Sequence, residues 1–173
     1  MGTSLAMRRD VRSILFLSTL LALGGTATAD PLWDAELRLG YGFSMASSDG
    51  SMSPRSAPLT IEVLAAVAIQ DEPKLFGYGG FVVETLDRNS IGGSAGVQLA
   101  QGPLRARIGG VYLFAPYSLW GAQASGGTCT HLSSSIRGCA DLQLTEYFAG
   151  TDLVPGHAVT QVQLVFGMVI DGN

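Results

Sequence analysis

Residues 35–45 read AELRLGYGFSM. Ala35, Leu37, Leu39, Tyr41, Phe43 and Met45 alternate with Glu36, Arg38, Gly40, Gly42 and Ser44. A two-residue period held this long describes a strand whose two faces meet different surroundings. The same alternation recurs in Leu59 to Gln70, with Leu59, Ile61, Val63, Ala65, Val67 and Ile69 on one face. It recurs again in Leu104 to Phe114, where Leu104, Ala106, Ile108, Tyr112 and Phe114 oppose Arg105, Arg107 and Gly109. The last segment sets Val162, Leu164, Phe166, Met168 and Ile170 against Gln161, Gln163, Val165 and Gly167.

Fainter alternation marks Leu75 to Leu86, Ile91 to Ala100, Tyr117 to about Ser125, and Cys139 to Phe148. Turn-forming residues separate the segments: Gln70 to Lys74, Asp87 to Ser90, Gln101-Gly102-Pro103, Pro116, and Thr151 to Gly156. The fold expected is all-β, an eight-stranded antiparallel up-and-down meander closed into a barrel. The faintest alternation surrounds Trp120; bacterial single-chain barrels have an even strand number, which favours counting it.

Composition separates this chain from an ordinary soluble domain. Of 173 residues, 47% are hydrophobic and 14% charged, mean hydropathy is +0.31, and there are 23 glycines. After Leu23 no apolar run approaches the roughly 20 residues of a spanning helix, so contact with lipid would fall to strands. Residues 1–29 have the order of a secretory signal peptide: Arg8, Arg9 and Arg12, an apolar stretch from Ile14 to Leu23, then Ala27-Thr28-Ala29. Met7, just before the basic region, is an alternative start. Residues 30–173 are expected to form the barrel domain. Cleavage after Ala29 would remove three arginines and one aspartate, leaving seven basic and thirteen acidic residues, net −6. Such an acidic domain is not expected to bind nucleic acid.

Alternation does not say which face points inward. The non-apolar face holds Gly40, Gly42, Ser44, Gly92, Ser94, Gly96, Gln98, Gly109, Gln143, Thr145, Gln161 and Gln163, and the chain has one lysine, Lys74. A water-facing surface would carry many lysines and glutamates. Its charges, Glu36, Glu62 and Asp141 with Arg38, Arg105 and Arg107, sum to zero, as an enclosed lumen requires. The apolar face is therefore expected to point outward to lipid. Trp33, Tyr41, Phe43, Phe76, Tyr78, Tyr112, Phe114, Trp120 and Phe148 are expected to form aromatic girdles at the two membrane interfaces.

On these residues the stretch from Asp34 to Ile170 resembles the small outer-membrane β-barrel proteins of the OmpA/OmpX type. The resemblance is one of pattern and implies a bacterial outer-membrane location with lipid as surroundings. Two features depart from it. Such proteins usually finish on an aromatic, whereas this chain reads Ile170-Asp171-Gly172-Asn173. Glu146 falls on the apolar face of its strand.

Few residues suggest chemistry. Cys129 and Cys139 flank a polar stretch and are expected to pair as a disulfide in an oxidising envelope. Zinc held by Cys129, His131 and Cys139 is the alternative, and it wants a fourth ligand. His131 and Ser133 form a His-x-Ser triplet reminiscent of outer-membrane lipid deacylases, and His157 has no evident acidic partner. The glycines of Gly77 to Gly80 and Gly92-Gly93 open no helix, so they do not form a phosphate cradle. No cofactor is expected. An eight-stranded barrel is filled by its own side chains, so the leading expectation is a non-enzymatic outer-membrane barrel that is not a diffusion pore. It would stabilise the envelope or present Ala46 to Ala57, Asp87 to Ser90 and Thr151 to His157 to an extracellular or envelope protein. The rivals are a secreted or periplasmic lipocalin-like barrel holding an apolar ligand, and a lipid-modifying enzyme.

Overall fold

The computed structural model describes residues 32–48 and 51–172. The expected signal peptide and Asp49-Gly50 lie outside the described residues. Among the described residues nine strands follow one another: β1 (Trp33–Ser48), β2 (Ser51–Arg55), β3 (Leu59–Gln70), β4 (Lys74–Thr85), β5 (Ser90–Gln101), β6 (Leu104–Ala115), β7 (Leu119–His131), β8 (Ile136–Gly150) and β9 (Ala158–Gly172). All but β2 form an antiparallel meander, and β9 returns to pair with β1 from Trp33↔Gly172 to Ser47↔Ala158. The result is a closed eight-stranded barrel with one additional strand. Closure leaves the eight strands without a free edge over their shared length.

Cross-strand partners fix the tilt. From Ala35 the row runs through Ala65, Gly79, Ala95, Gly110, Ala122, Glu146 and Thr160, and it meets β1 again at Met45, ten residues beyond its start. With ~3.3 Å per residue and ~4.8 Å between strands, that stagger inclines the strands by about 40° to the axis. The lower end of the barrel carries the turns at 71–73, 102–103 and 132–135 with both ends of the described chain. The upper end carries the turns at 86–89, 116–118 and 151–157.

The two faces separate as the alternation requires. Leu37, Ile61, Ile108 and Leu164 project outward and are exposed, while Arg38 and Arg107 lie inside at 1% and 6% exposure. Inside, Val82, Val111, Leu113, Leu119, Tyr147 and Val159 make an upper apolar cluster. Leu64, Ala66, Phe76 and Tyr78 make a smaller one against β3 and β4.

Phe76 and Tyr78 correct the expected girdle, because both side chains point into the lumen. The reason lies in their neighbours. Tyr78 is in register with Gly96, and Gly96 with Gly109. A Cβ on Gly96 would stand 2.9 Å from the Tyr78 hydroxyl, and one on Gly109 would collide with it. Two glycines thus clear the space that the ring fills, and Gln123 Nε2 donates to the hydroxyl at 3.2 Å. The other girdle candidates face outward: Trp33 at the lower end, and Tyr41, Phe43, Tyr112, Phe114, Trp120 and Phe148 toward the upper end. Tyr112 stacks on Trp120 with ring centroids 4.0 Å apart. The segment around Trp120 is a full strand of 13 residues.

Ala46 to Ala57 is a second correction. In place of an exposed loop, β1 continues to Ser48 and pairs with β2 from Ser44↔Arg55 to Ser48↔Ser51. All five β2 residues are exposed, so no apolar period marks the strand. Pro54 has no N–H and can sit in this ladder only where its nitrogen faces away from β1, which makes the free edge a poor template for another strand.

Two glycines one residue apart provide a test. At Gly110, on the outer face, an added Cβ meets nothing closer than 3.8 Å, whereas at Gly109 it strikes the Ala95 carbonyl and Tyr78. Gly110→Ala is expected to leave the unfolding midpoint in urea nearly unchanged. Gly109→Ala should lower stability by about 1–3 kcal/mol through overpacking.

Candidate functional site: the lumen and its rims

Glu36 and Arg38 alternate on β1, and Arg105 and Arg107 on β6, a strand on the opposite side of the barrel. Strand pleating turns all four inward, and they meet Glu62 of β3 and Asp141 of β8. The six side chains form one connected, buried ion cluster. Arg38 reaches Glu62 through Nη1 and Asp141 through Nη2 at 3.1 Å, with Nε 3.6 Å from Glu36. Arg105 forks onto Asp141, donating from Nε at 2.9 Å and from Nη2 at 2.6 Å, and Nη2 also donates to Glu36 at 2.8 Å. Arg107 pairs with Glu36 and donates to Gln98. Its guanidinium carbon lies 5.4 Å from the centroid of the Tyr78 ring.

Three acids and three guanidinium groups cancel, and the forked contacts satisfy several donors at once. That is the condition under which charges tolerate removal from water. Because the contacts run from β1 to β6, the cluster bridges the lumen. Gln143 donates to Glu62 at 3.4 Å and extends the polar layer along β8.

Both rims carry ion pairs that the alternation did not single out. At the lower rim Arg137 holds Asp171 at 2.5 Å and Asp34 at 3.1 Å, joining β8 to both strands of the closing seam. At the upper rim Arg88 reaches Glu84 at 3.2 Å and Asp152 at 3.1 Å, and it lies 5.3 Å from the Tyr147 ring centroid. Glu84 is fully buried and accepts from Tyr147 at 3.3 Å and Gln161 at 3.1 Å. Arg55 of β2 donates from Nε to both oxygens of Asp87 at 3.2 Å, so the β1–β2 hairpin is tied to the adjoining turn. The four-residue spacing of Glu84 and Arg88 was visible, but nothing in it indicated that the turn folds back over the lumen.

No protein-family model and no curated protein matches the chain. The site therefore rests on its own geometry.

Cys129 and Cys139 are cross-strand partners on β7 and β8 and are joined as a disulfide, with Cα atoms 4.1 Å apart. This corrects the zinc alternative: both sulfurs are bonded to each other and have no thiolate to offer a metal. The bridge staples the lower part of the β7–β8 hairpin, where β7 extends past the start of β6. His131 ends β7 and Ser133 lies in the following turn, both exposed. His157 precedes β9, with its backbone N–H bonded to the Val154 carbonyl at 3.0 Å.

Arg38→Met would strand Glu62 as a buried acid without a cation and leave Asp141 to Arg105 alone, and we expect a loss of about 3–5 kcal/mol in urea unfolding. Adding Glu62→Gln should restore part of that loss. Full additivity of the two substitutions would contradict a direct pair. The Cys129→Ala/Cys139→Ala double variant should keep the fold and lose about 2–3 kcal/mol, with no further loss when reductant is added.

Proposed function

We propose that this chain is an exported outer-membrane β-barrel that stabilises the envelope or presents its upper connections to a partner. The observation that carries the reading is the inverted distribution of side chains. Among the described residues, large aliphatic and aromatic side chains are outward and exposed, while eighteen polar or charged residues are buried. An exposed apolar wall this extensive is far larger than the patches of soluble monomers. Only contact with lipid or with another protein would keep it out of water.

The dimensions agree with this. A twelve-residue strand inclined at about 40° rises ~30 Å along the axis, comparable with the hydrocarbon thickness of a bilayer. Exposed aromatics gather at the upper end, and Trp33 stands at the lower, as interfacial side chains do. The ion cluster bridging the lumen and the Arg88 contacts at its upper rim support a structural or interaction role over solute conduction. The turns available to a partner are 86–89 and 151–157, together with the β1–β2 hairpin.

Fractionation of cells expressing the full chain tests the proposal, combined with gel mobility with and without boiling. The protein is expected with outer membranes, migrating differently when unheated. Recovery from the aqueous fraction without detergent would refute the proposal and favour a soluble ligand carrier.

A further inference from the structure

The cross-strand row that fixes the barrel's stagger has a second property. Its first six members, Ala35, Ala65, Gly79, Ala95, Gly110 and Ala122, are the smallest residues available, and all six lie on the outward face. The rows on either side are bulkier over most of their length. Above it stand Phe81 and the stacked pair Tyr112 and Trp120, with Gly93 between them; below it stand Val97, Ile108 and Leu144, with Gly77 and Ala124 as the small members. The outer wall is therefore furrowed obliquely along the hydrogen-bonding direction for five strand spacings, on the order of 24 Å. Part of this furrow, where Gly93, Ala95 and Gly110 meet Tyr112 and Trp120, is a groove of about 450 Å³.

The next member of the row is Glu146, in register with Ala122. Among the described residues it is the one Asp, Glu, Lys or Arg on an outward position of the eight barrel strands, and no described side chain pairs with it. It lies just below Phe148, within the upper aromatic zone. A carboxylate facing lipid is costly unless it meets a cation or reaches the interface.

We infer that the furrow binds an amine-bearing phospholipid, one acyl chain lying along the Gly/Ala floor and the ammonium group meeting Glu146. The inference rests on the membrane reading above. Width and charge together choose the occupant. The flanking rows are four residues apart, ~13 Å between Cα positions along a strand, and on each of β4 to β7 a large side chain from at least one side narrows the opening. An acyl chain enters such a gap. A helix of 10–12 Å diameter does not. The unpaired carboxylate complements a zwitterionic lipid with an ammonium and repels one whose net charge is purely anionic.

Trp120, on the wall of the groove, reports occupancy. In Trp33→Phe protein reconstituted into vesicles, Trp120 is the sole tryptophan, and bromine on an acyl chain quenches its fluorescence on contact. Phosphatidylethanolamine or phosphatidylglycerol with brominated chains is added in increasing minority amounts to otherwise unbrominated phosphatidylcholine. The ethanolamine lipid should quench at about fivefold lower mole fraction, the size of one exposed charge contact. Glu146→Gln should bring the two lipids together. Gly110→Leu, which fills the floor where an added Cβ has 3.8 Å of clearance, should remove the low-concentration quenching while heat-shifted mobility is kept. Equal quenching by both lipids in the Trp33→Phe protein would overturn the inference. Trp120 shielded from both would also overturn it, pointing to a protein in the furrow. A bilayer brominated throughout separates the two levels: quenching there with no preference between lipids defeats this inference alone, and no quenching there together with recovery of the protein from the aqueous fraction defeats the membrane reading as well.

Discussion

Arg38 is a cation removed from water and held by Glu62 and Asp141, with Glu36 near its Nε. Everything else in the barrel is compatible with that placement or follows from it. A guanidinium at the centre of a narrow lumen requires acids from other strands, and those acids require the arginines of β6. Once β1, β3, β6 and β8 are tied through the middle, their polar faces are committed inward. Pleating then sends Leu37, Ile61, Ile108 and Leu164 outward, because neighbouring residues of a strand cannot share a face. The exposed apolar wall is thus the counterpart of the paired interior.

The rims extend the same logic. Arg137 ties the start of β1 and the end of β9 to β8, so charge pairing reinforces the backbone ladder at the closing seam. Arg88 draws Glu84 and Asp152 together at the opposite end. Between the rims, packing inside the lumen depends on exchanges of volume between strands. Gly96 and Gly109 are small because Tyr78 is large and points at them.

Much of this was legible in the chain. The alternation in residues 35–45, 59–70, 104–114 and 161–170 marked strands, and the charges Glu36, Arg38, Glu62, Arg105, Arg107 and Asp141 stood on one face of theirs. The pairing of Cys129 with Cys139 was readable from their spacing and isolation. What escaped has definite physical causes. On β4, glycines at 77, 79 and 80 interrupt the apolar period on both faces, so the inward direction of Phe76 and Tyr78 depends on β5 and β6. The β2 strand is exposed throughout and held by backbone pairing with β1, so no side-chain period records it. The rim pairs and the outer furrow arise from register, which joins residues far apart in the chain and emerges only once the barrel closes.

Site-directed spin labelling along β1 tests the arrangement most directly. Nitroxides placed singly at positions 37, 39 and 41 of the disulfide-bonded protein in vesicles, and at exposed position 52 of β2, would be compared for collision with oxygen, which concentrates in hydrocarbon, and with a water-soluble nickel chelate. Labels at 37, 39 and 41 should be open to oxygen and closed to the chelate, and the one at 52 open to the chelate. Ready access of the chelate to 37, 39 and 41 would place the apolar face in water and contradict the account.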